Sequence, residues 1–306
     1  MGKIAVIGSL NYDITVTADH LPKIGETILG KTINYNCGGK GGNQAYACAC
    51  AGSTTIMLGA IGKDSWGEHL KTSLRNLHIN TDYLQEIPYA HSGVAIVAID
   101  DQGKNSIIVI PGANFALTED LLAKNIDQLK SADVLLLQLE IPLPTVYYAI
   151  EKAYTLGKPI ILNPAPVQQL NPKYLEMIDY LTPNETELHQ LVPGNSSLAI
   201  KACQLIDAGV RNVVVTLGEN GVMYVNQSRK IRYYPARKVT AIDTVGAGDC
   251  FNGYFSSAIA NNKSPEEAIK YAIVAASVSV TRVGAQASIP TQKEIDLLRT
   301  GEDFSV

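Results

Sequence analysis

Asp243-Thr244-Val245-Gly246-Ala247-Gly248-Asp249-Cys250-Phe251-Asn252-Gly253 lies near the C-terminal end of a 306-residue chain. It is a polar turn punctuated by glycine, and it runs straight into a small-residue apolar stretch, 254–260, with helical character. A turn of this kind exposes backbone N–H groups at a helix N-terminus. Unsatisfied amides and the positive end of the macrodipole together seat an anion. Asp249 falls inside that seat, and two readings are open. It caps the helix, or it stands as a general base beside a phosphate, where it strips a hydroxyl during phosphoryl transfer.

Working back from this turn, helix and strand alternate from Leu117 onward. The pattern predicts a helix over 117–129, a strand over 134–138 and a helix over 145–154. Strands over 159–162 and 180–182 follow, then helices over 185–192 and 197–208 and a strand over 212–217. Helices over 248–261 and 265–282 close the chain, and the stretch 268–280 is apolar on nearly every side. This βαβ rhythm makes a mostly parallel sheet covered on both faces the expected architecture, an α/β fold. The N-terminal part predicts strands over 3–8 and 56–61, helices over 42–52 and 68–77, and irregular chain through Gly25, Gly30 and Asn34. Two β-rich runs, 92–99 and 106–110, flank a turn of hairpin chemistry, Asp100-Asp101-Gln102-Gly103-Lys104. They predict exposed antiparallel strands outside the parallel core. Residues 221–225 and 230–234 give a second antiparallel pair.

Composition narrows the class of protein. With 46% hydrophobic and 18% charged residues, the chain can bury a large core. A net charge of −4 without any Lys/Arg run argues against nucleic acid or an anionic membrane as partner. No apolar run reaches the roughly 20 residues that span a bilayer. The opening Met1-Gly2-Lys3-Ile4-Ala5-Val6-Ile7-Gly8 reads as a buried strand rather than a signal peptide. Val6 stands where a myristoylation motif needs Ser or Thr. The five cysteines, Cys37, Cys48, Cys50, Cys203 and Cys250, are irregularly spaced, which points to reduced thiols and a cytoplasmic protein. No Cys-x-x-Cys pair suggests structural zinc.

Ligands of parallel sheets bind at the carboxyl ends of the strands. The polar residues there are Asn11 and Asp13, Glu140, Asn163, Asn184 and Glu187, and Thr216, Gly218 and Glu219. Three further segments carry chemistry. Gly38-Gly39-Lys40-Gly41-Gly42-Asn43-Gln44-Ala45 has four glycines in five positions before a helix. It is either a flexible loop or a close backbone approach to a small ligand, with Lys40 and Asn43 supplying hydrogen bonds. Asn184-Glu185-Thr186-Glu187 is either a capping box or a holder of magnesium-bound waters. Thr216-Leu217-Gly218-Glu219-Asn220-Gly221 is either a tight turn or a bed for a flat base. Walker A and G-x-G-x-x-G spacings are missing, which disfavours a P-loop and an NAD site.

Taken together, these segments resemble the ribokinase (PfkB-type) sugar kinase family. The two signatures are Gly38–Ala45 and Asp243–Asp249. Between them, in the family's order, fall Asn163-Pro164-Ala165-Pro166, Pro183-Asn184-Glu185-Thr186-Glu187 and Thr216-Leu217-Gly218. The likeness runs from Lys3 to about Pro290. Asn11-Tyr12-Asp13, Gly25-Glu26-Thr27, Gly39-Lys40-Gly41-Gly42-Asn43 and Gln138-Leu139-Glu140 are similar to its sugar-contacting segments.

The resemblance implies a three-layer α/β/α ribokinase-like unit over 1–306. Segments within 14–36 and 92–111 would form a small β-sheet lid that also pairs two subunits as a homodimer. It implies that Asn11, Asp13, Gly39, Lys40, Gly41, Gly42, Asn43 and Glu140 hold a sugar, D-ribose. Asp249 would be the base on its primary hydroxyl, with Gly246, Ala247 and Gly248 as anion hole. ATP would lie against Asn184, the loop Thr216, Leu217, Gly218, Glu219, Asn220 and Gly221, and Ile273, where many bacterial members carry histidine. Asn184 and Glu187 would support Mg²⁺ through water. Asp243, Val245, Ser279, Arg282, Gly284 and Ser288 would hold a monovalent cation, usually K⁺. The expected reaction is ATP-dependent phosphorylation of ribose at the 5-hydroxyl. The alternatives are a kinase for 2-deoxyribose, another sugar or a nucleoside (pseudouridine-like), and a non-catalytic sugar-binding regulator.

Overall fold

Ile4, Ala5, Val6 and Ile7 have no exposed surface, as a strand covered on both faces requires. They belong to β1 (Lys3–Ile7), the seventh of eight strands in the main sheet. The computed structural model describes residues 1–300.

Chain order gives β2 (Asn11–Ala18), β3 (Gly30–Gly38), β4 (Thr54–Leu58), β5 (Ala60–Gly62), β6 (Gln85–Ile87) and β7 (Gly93–Ile99). After these come β8 (Asn105–Ile110), β9 (Val134–Leu137), β10 (Ile160–Leu162), β11 (Tyr180–Leu181), β12 (Asn212–Thr216), β13 (Val222–Asn226) and β14 (Ile231–Tyr234). The main sheet runs β14-β13-β12-β11-β10-β9-β1-β4. It is parallel from β12 to β4, and β13 pairs antiparallel with both neighbours. A second sheet, β3-β2-β7-β8, consists of two antiparallel ladders joined by the parallel pair β2–β7.

Seven helices of seven residues or more bear on the site: α1 (Lys40–Cys50), α2 (Ser65–Arg75), α3 (Leu143–Thr155), α4 (Glu185–Leu191), α5 (Leu198–Asp207), α6 (Ala247–Ala260) and α7 (Pro265–Ser279). Strand alternation sorts the core. Ile4, Val6, Val134 and Leu136 face Ala47, Phe251, Tyr254 and Ala272 on α1, α6 and α7. Ala5, Ile7, Leu135 and Leu137 face Val146, Ile150, Leu188 and Ala202 on α3, α4 and α5. The layers are therefore helix, sheet, helix, as the βαβ rhythm predicts.

Two expectations need correction. The chain is irregular only over 19–29, which includes Gly25: 11–18 and 30–38 form a ladder from Asn11↔Gly38 to Ala18↔Gly30, with a register shift at Thr17/Ala18, so Gly30 and Asn34 lie in a strand. Strand β3 is polar and largely exposed, so no apolar alternation marks it, and only its long-range partner makes it a strand. The helix over 117–129 is broken. Thr118 caps a short helix, Glu119–Ala123, and Asn125 at φ −125 leads into the 3₁₀ turn Ile126–Ser131. Among the described residues, no helix is long and apolar enough to cross a membrane.

The α1–α6 contact positions everything that follows. A Cβ at Gly253 would lie 2.3 Å from Ala47 Cβ and 2.9 Å from the Cys48 amide, so the two helices meet backbone to backbone there. Gly253→Ala must push them apart, and overpacking of this kind costs roughly 1–3 kcal/mol or more. Gly248→Ala adds a Cβ that meets nothing within 4 Å and should be neutral or slightly stabilising. Urea unfolding of both variants checks this. Equal midpoints would contradict the close contact.

Candidate active site

Gly246, in the left-handed region at φ 75, ends the loop and begins α6. The first intrahelical bond is the Cys250 amide to the Gly246 carbonyl, at 2.8 Å. The amides of Gly248 and Asp249 precede it and have no partner among the described residues. Asp249 does not cap the helix, since no side chain does. Its carboxylate, 8% exposed, instead accepts from α1, with Asn43 Nδ2 at 3.0 Å and Gln44 Nε2 at 2.9 Å. It stays in contact with a cavity of about 180 Å³ shared with Lys40, Asn184, Glu187, Thr216, Gly246 and Gly248.

Asn163, Ala165, Thr182 and Asn252 complete the cavity wall. Of these, Asn163 stands out in sequence as a strand-end residue. Thr182 and Asn252 carry no local signal, because they are drawn in by hydrogen bonds 70 residues apart: Thr182 Oγ1 donates to Asn252 Oδ1 at 2.6 Å.

Beside Asp249, the end of β1 turns through Gly8–Leu10 into β2, so Asn11 and Asp13 lie where the two sheets diverge. Ser9 Oγ (2.5 Å) and the Lys40 amide (3.1 Å) donate to Glu140 Oε2. Asn11 Oδ1 accepts from Asn114 Nδ2 at 2.8 Å, which leaves the Asn11 amide donors for another partner. Asp13 Oδ1 and Asn43 Oδ1 are buried and lack any protein partner. Such atoms are costly unless something else satisfies them, and a polyhydroxylated ligand would do so.

The electrostatics follow first from burial and then from the crowding of acids. Burial, with the Glu140 and Asp249 carboxylates adding to it, pushes Asp13 up to about 7. Burial also raises Asp249, against the opposing pull of Lys40, Asn43 and Gln44. Burial lowers Lys40, but Asp249, Glu140 and Glu187 together outweigh it and leave its ammonium held above the ordinary range. Glu187 is raised, by burial first. One cation thus faces several carboxylates in a cleft, a setting that suits an anionic ligand and a metal ion.

The other expected residues divide. Asn184 and Glu187 form a capping box, with both hydrogen bonds at 2.8 Å, and also line the cavity. The loop after β12 is a 3₁₀ turn, Gly218–Asn220, closing the hairpin into β13; Gly218, Glu219 and Asn220 are exposed, and Leu217 donates its amide to the Gly221 carbonyl. Ile273 is buried in the α1–α6–α7 core and does not line the cavity. Asp243 accepts from the Val245 amide at 3.0 Å and the Gly284 amide at 2.8 Å, joining two loops behind the Gly246 turn. Arg282 directs its guanidinium to Glu294 at 2.6 Å. The six residues from Asp243 to Ser288 offer a carboxylate, hydroxyls and backbone carbonyls, an oxygen-only set that fits a hard monovalent cation.

Residues 1–292 match the profile described as pfkB family carbohydrate kinase. The chain belongs to this family of carbohydrate kinases. A ribokinase of Haemophilus influenzae is 38% identical over 295 residues, 95% of this chain and 96% of its own length. A deoxyribokinase of Salmonella typhi is 37% identical over 298 residues, covering 96% and 97%. Among solved structures, Arabidopsis thaliana ribokinase complexed with ribose and ATP superposes with a TM-score of 0.91 at 32% identity, covering 97% and 98%. The ribokinase-like fold and the kinase activity expected from the sequence are thus borne out.

The Asp13 shift has a consequence for stability in this kinase. An acid whose folded pKa lies above its unfolded value of about 3.9 favours folding at low pH. That stabilisation is lost as pH rises from about 4 through about 7. Asp13→Asn removes the ionisable group. The variant should melt higher than the parent at pH 8 and no higher at pH 4. Melting curves displaced equally at both pH values would contradict the raised pKa.

Proposed function

We propose that this carbohydrate kinase transfers the terminal phosphoryl group of ATP to the 5-hydroxyl of D-ribose, giving ribose 5-phosphate and ADP. The observation that carries the reading is the position of the Asp249 carboxylate: at the free-amide end of α6, in the cavity, and beside the unpartnered oxygens of Asp13 and Asn43. The Arabidopsis relative, described with ribose and ATP, supports it.

Asp13, Asn43 and Glu140 accept hydrogen bonds from sugar hydroxyls, while Asn11, Lys40 and the backbone around Gly39, Gly41 and Gly42 bind sugar oxygens. This holds the primary hydroxyl at Asp249. Asp249 takes its proton as the bond to phosphorus forms. Within the Gly246–Gly248 turn expected as anion hole, the Ala247 amide is spent on the Thr244 carbonyl, and the free amides of Gly248 and Asp249 face the negative charge of the phosphoryl group in flight, with Lys40 close by. Little covalent assistance is needed, and alignment together with charge stabilisation supplies the rate. The nucleotide lies between Asn184 and the 216–221 turn; Ile273, in the middle of α7, is buried behind this site rather than in it. Asn184 and Glu187 would hold Mg²⁺ through its waters, and Asp243, Val245, Ser279, Arg282, Gly284 and Ser288 would hold K⁺ through oxygen atoms. When bound, these cations offset phosphate charge.

The sheet β3-β2-β7-β8 acts as lid over the sugar. Its edge strand β8 is exposed throughout and carries Ile107, Ile108, Val109 and Ile110. An uncovered apolar edge invites pairing with a second copy, which makes a homodimer through the lid the expected assembly. One unit, expected over 1–306 with 301–306 outside the described residues, acting in the cytoplasm, completes the reading.

A second reading, 2-deoxyribose as substrate, has the Salmonella relative in its favour. The Asn11 amide, held by Asn114, offers a donor to a substrate richer in hydroxyls, and this favours ribose. Competition of ribose with deoxyribose and nucleosides, read as kcat/KM, decides between them. Loss of a single hydrogen-bonded hydroxyl costs as much as four to five decades in a site built for it.

Asp249→Asn should cut kcat by about 10²–10⁴-fold while leaving ribose binding and folding intact. Near-parental turnover would remove the base assignment, and absence of ADP release by the parent with every candidate sugar would favour a non-catalytic regulator. Ribose affinity should also depend on pH through Asp13. Because sugar hydroxyls bind its ionised form, affinity at pH 6 should be about tenfold weaker than at pH 8. Calorimetric titration showing pH-independent binding would contradict that role.

A further inference from the structure

Behind Asp249 lies a chain of buried amides that the reaction above does not use. Gln44 and Gln138 have no exposed surface, and Asn163 is 7% exposed. Gln138 Nε2 donates to Gln44 Oε1 at 2.6 Å. Gln44 Nε2 donates to Asp249 Oδ1 at 2.9 Å and to Asn163 Oδ1 at 3.1 Å. Asn163 Nδ2 donates to the Thr182 carbonyl at 3.0 Å.

The orientations are mutually dictated. A carboxylate and a backbone carbonyl can only accept, so the Gln44 NH₂ must face Asp249 and the Asn163 NH₂ must face Thr182. The Gln44 carbonyl then points away from the base, and only a donor at 138 satisfies it. An amide in position 44 turned the other way would set an oxygen against the carboxylate.

We propose that Gln44 and Gln138 are positioning residues for the base: Gln138 locks the Gln44 amide so that its NH₂ faces Asp249 and holds the carboxylate ready to accept a proton. This rests on the reading of Asp249 as base. Gln44 is a neutral donor placed where a lysine would form an ion pair too stable to take up a proton. Asn43 contributes the second donor from the same helix, and Lys40 a nearby cation.

Other ionisable groups surround Asp249: Lys40 from α1, Glu140 after β9, Asp13 on β2, Glu187 on α4 and Cys250 beside it on α6. Asp13 acts on sugar affinity, so kcat at saturating ribose isolates the base from it.

The test is the pH profile of kcat at saturating ribose and ATP for Gln44→Met and Gln138→Met, with circular dichroism and melting curves to establish folding. Both substitutions keep length and remove the amide. Loss of one hydrogen bond to the charged form should move the acidic limb up by about one pH unit in Gln44→Met. Gln138→Met should move it in the same direction by less. A limb that stays at the parental pH in either folded variant, even with kcat lowered uniformly, overturns the proposal, and either variant suffices alone. Asp249→Asn separates the two layers of the argument. If it retains turnover, the base reading itself fails. If it is inactive while the limbs do not move, only the positioning role fails.

Discussion

The contact between α1 and α6 is the constraint on which the site depends. Gly253 lets the helices approach until Ala47 and Cys48 lie against its backbone. One turn earlier on α6 and one turn earlier on α1, the same approach brings Asp249 within hydrogen-bonding distance of Asn43 and Gln44. A carboxylate buried at a helix N-terminus has two stabilising influences from its own helix, the free amides and the dipole. Here those amides are left unused by the protein, and neutral donors from a second helix hold the acid instead. The result is a base that is fixed in place with an anion seat beside it.

The second element is the divergence of the two sheets. β1 runs inside the parallel core, and within four residues of its end the chain enters β2 of the smaller sheet. Asn11 there pairs with both Gly38 and Gly93, so all three strands of the junction converge on the residue that begins β2. The Gly-rich segment then turns directly into α1. Acidic groups from β2, from the loop after β9 and from α6 are crowded into one cleft with a single lysine. Burial, with that crowding adding to it, raises the pKa of Asp13 to about 7. A ligand presenting hydroxyls to Asp13 would offset that rise.

The parallel core was legible in the sequence because its strands are apolar throughout and its helices are amphipathic. The polar residues at the carboxyl strand ends, from Asn11 to Thr216, do converge as their positions suggest. Strand β3 was not legible: polar and exposed, it takes its structure from pairing with β2. The helix starting at Lys40 rather than Gly42 was equally hidden, since glycine carries no helix signal of its own. Thr182 and Asn252 escaped for a different reason. Their roles come from a contact between two distant elements, and neither has a neighbour in sequence that would reveal it. Gln44 and Gln138 stood in view within motifs, but their function lies in the orientation of an amide, which only the assembled network defines.

The most direct measurement is the structure of a ternary complex with ribose and a non-hydrolysable ATP analogue. The account predicts the ribose 5-oxygen within about 3.2 Å of an Asp249 carboxylate oxygen, in line with the terminal phosphorus, and the terminal phosphate against the Gly248 and Asp249 amides. A 5-oxygen turned away from Asp249, or a terminal phosphate bound elsewhere than at the α6 N-terminus, would contradict it.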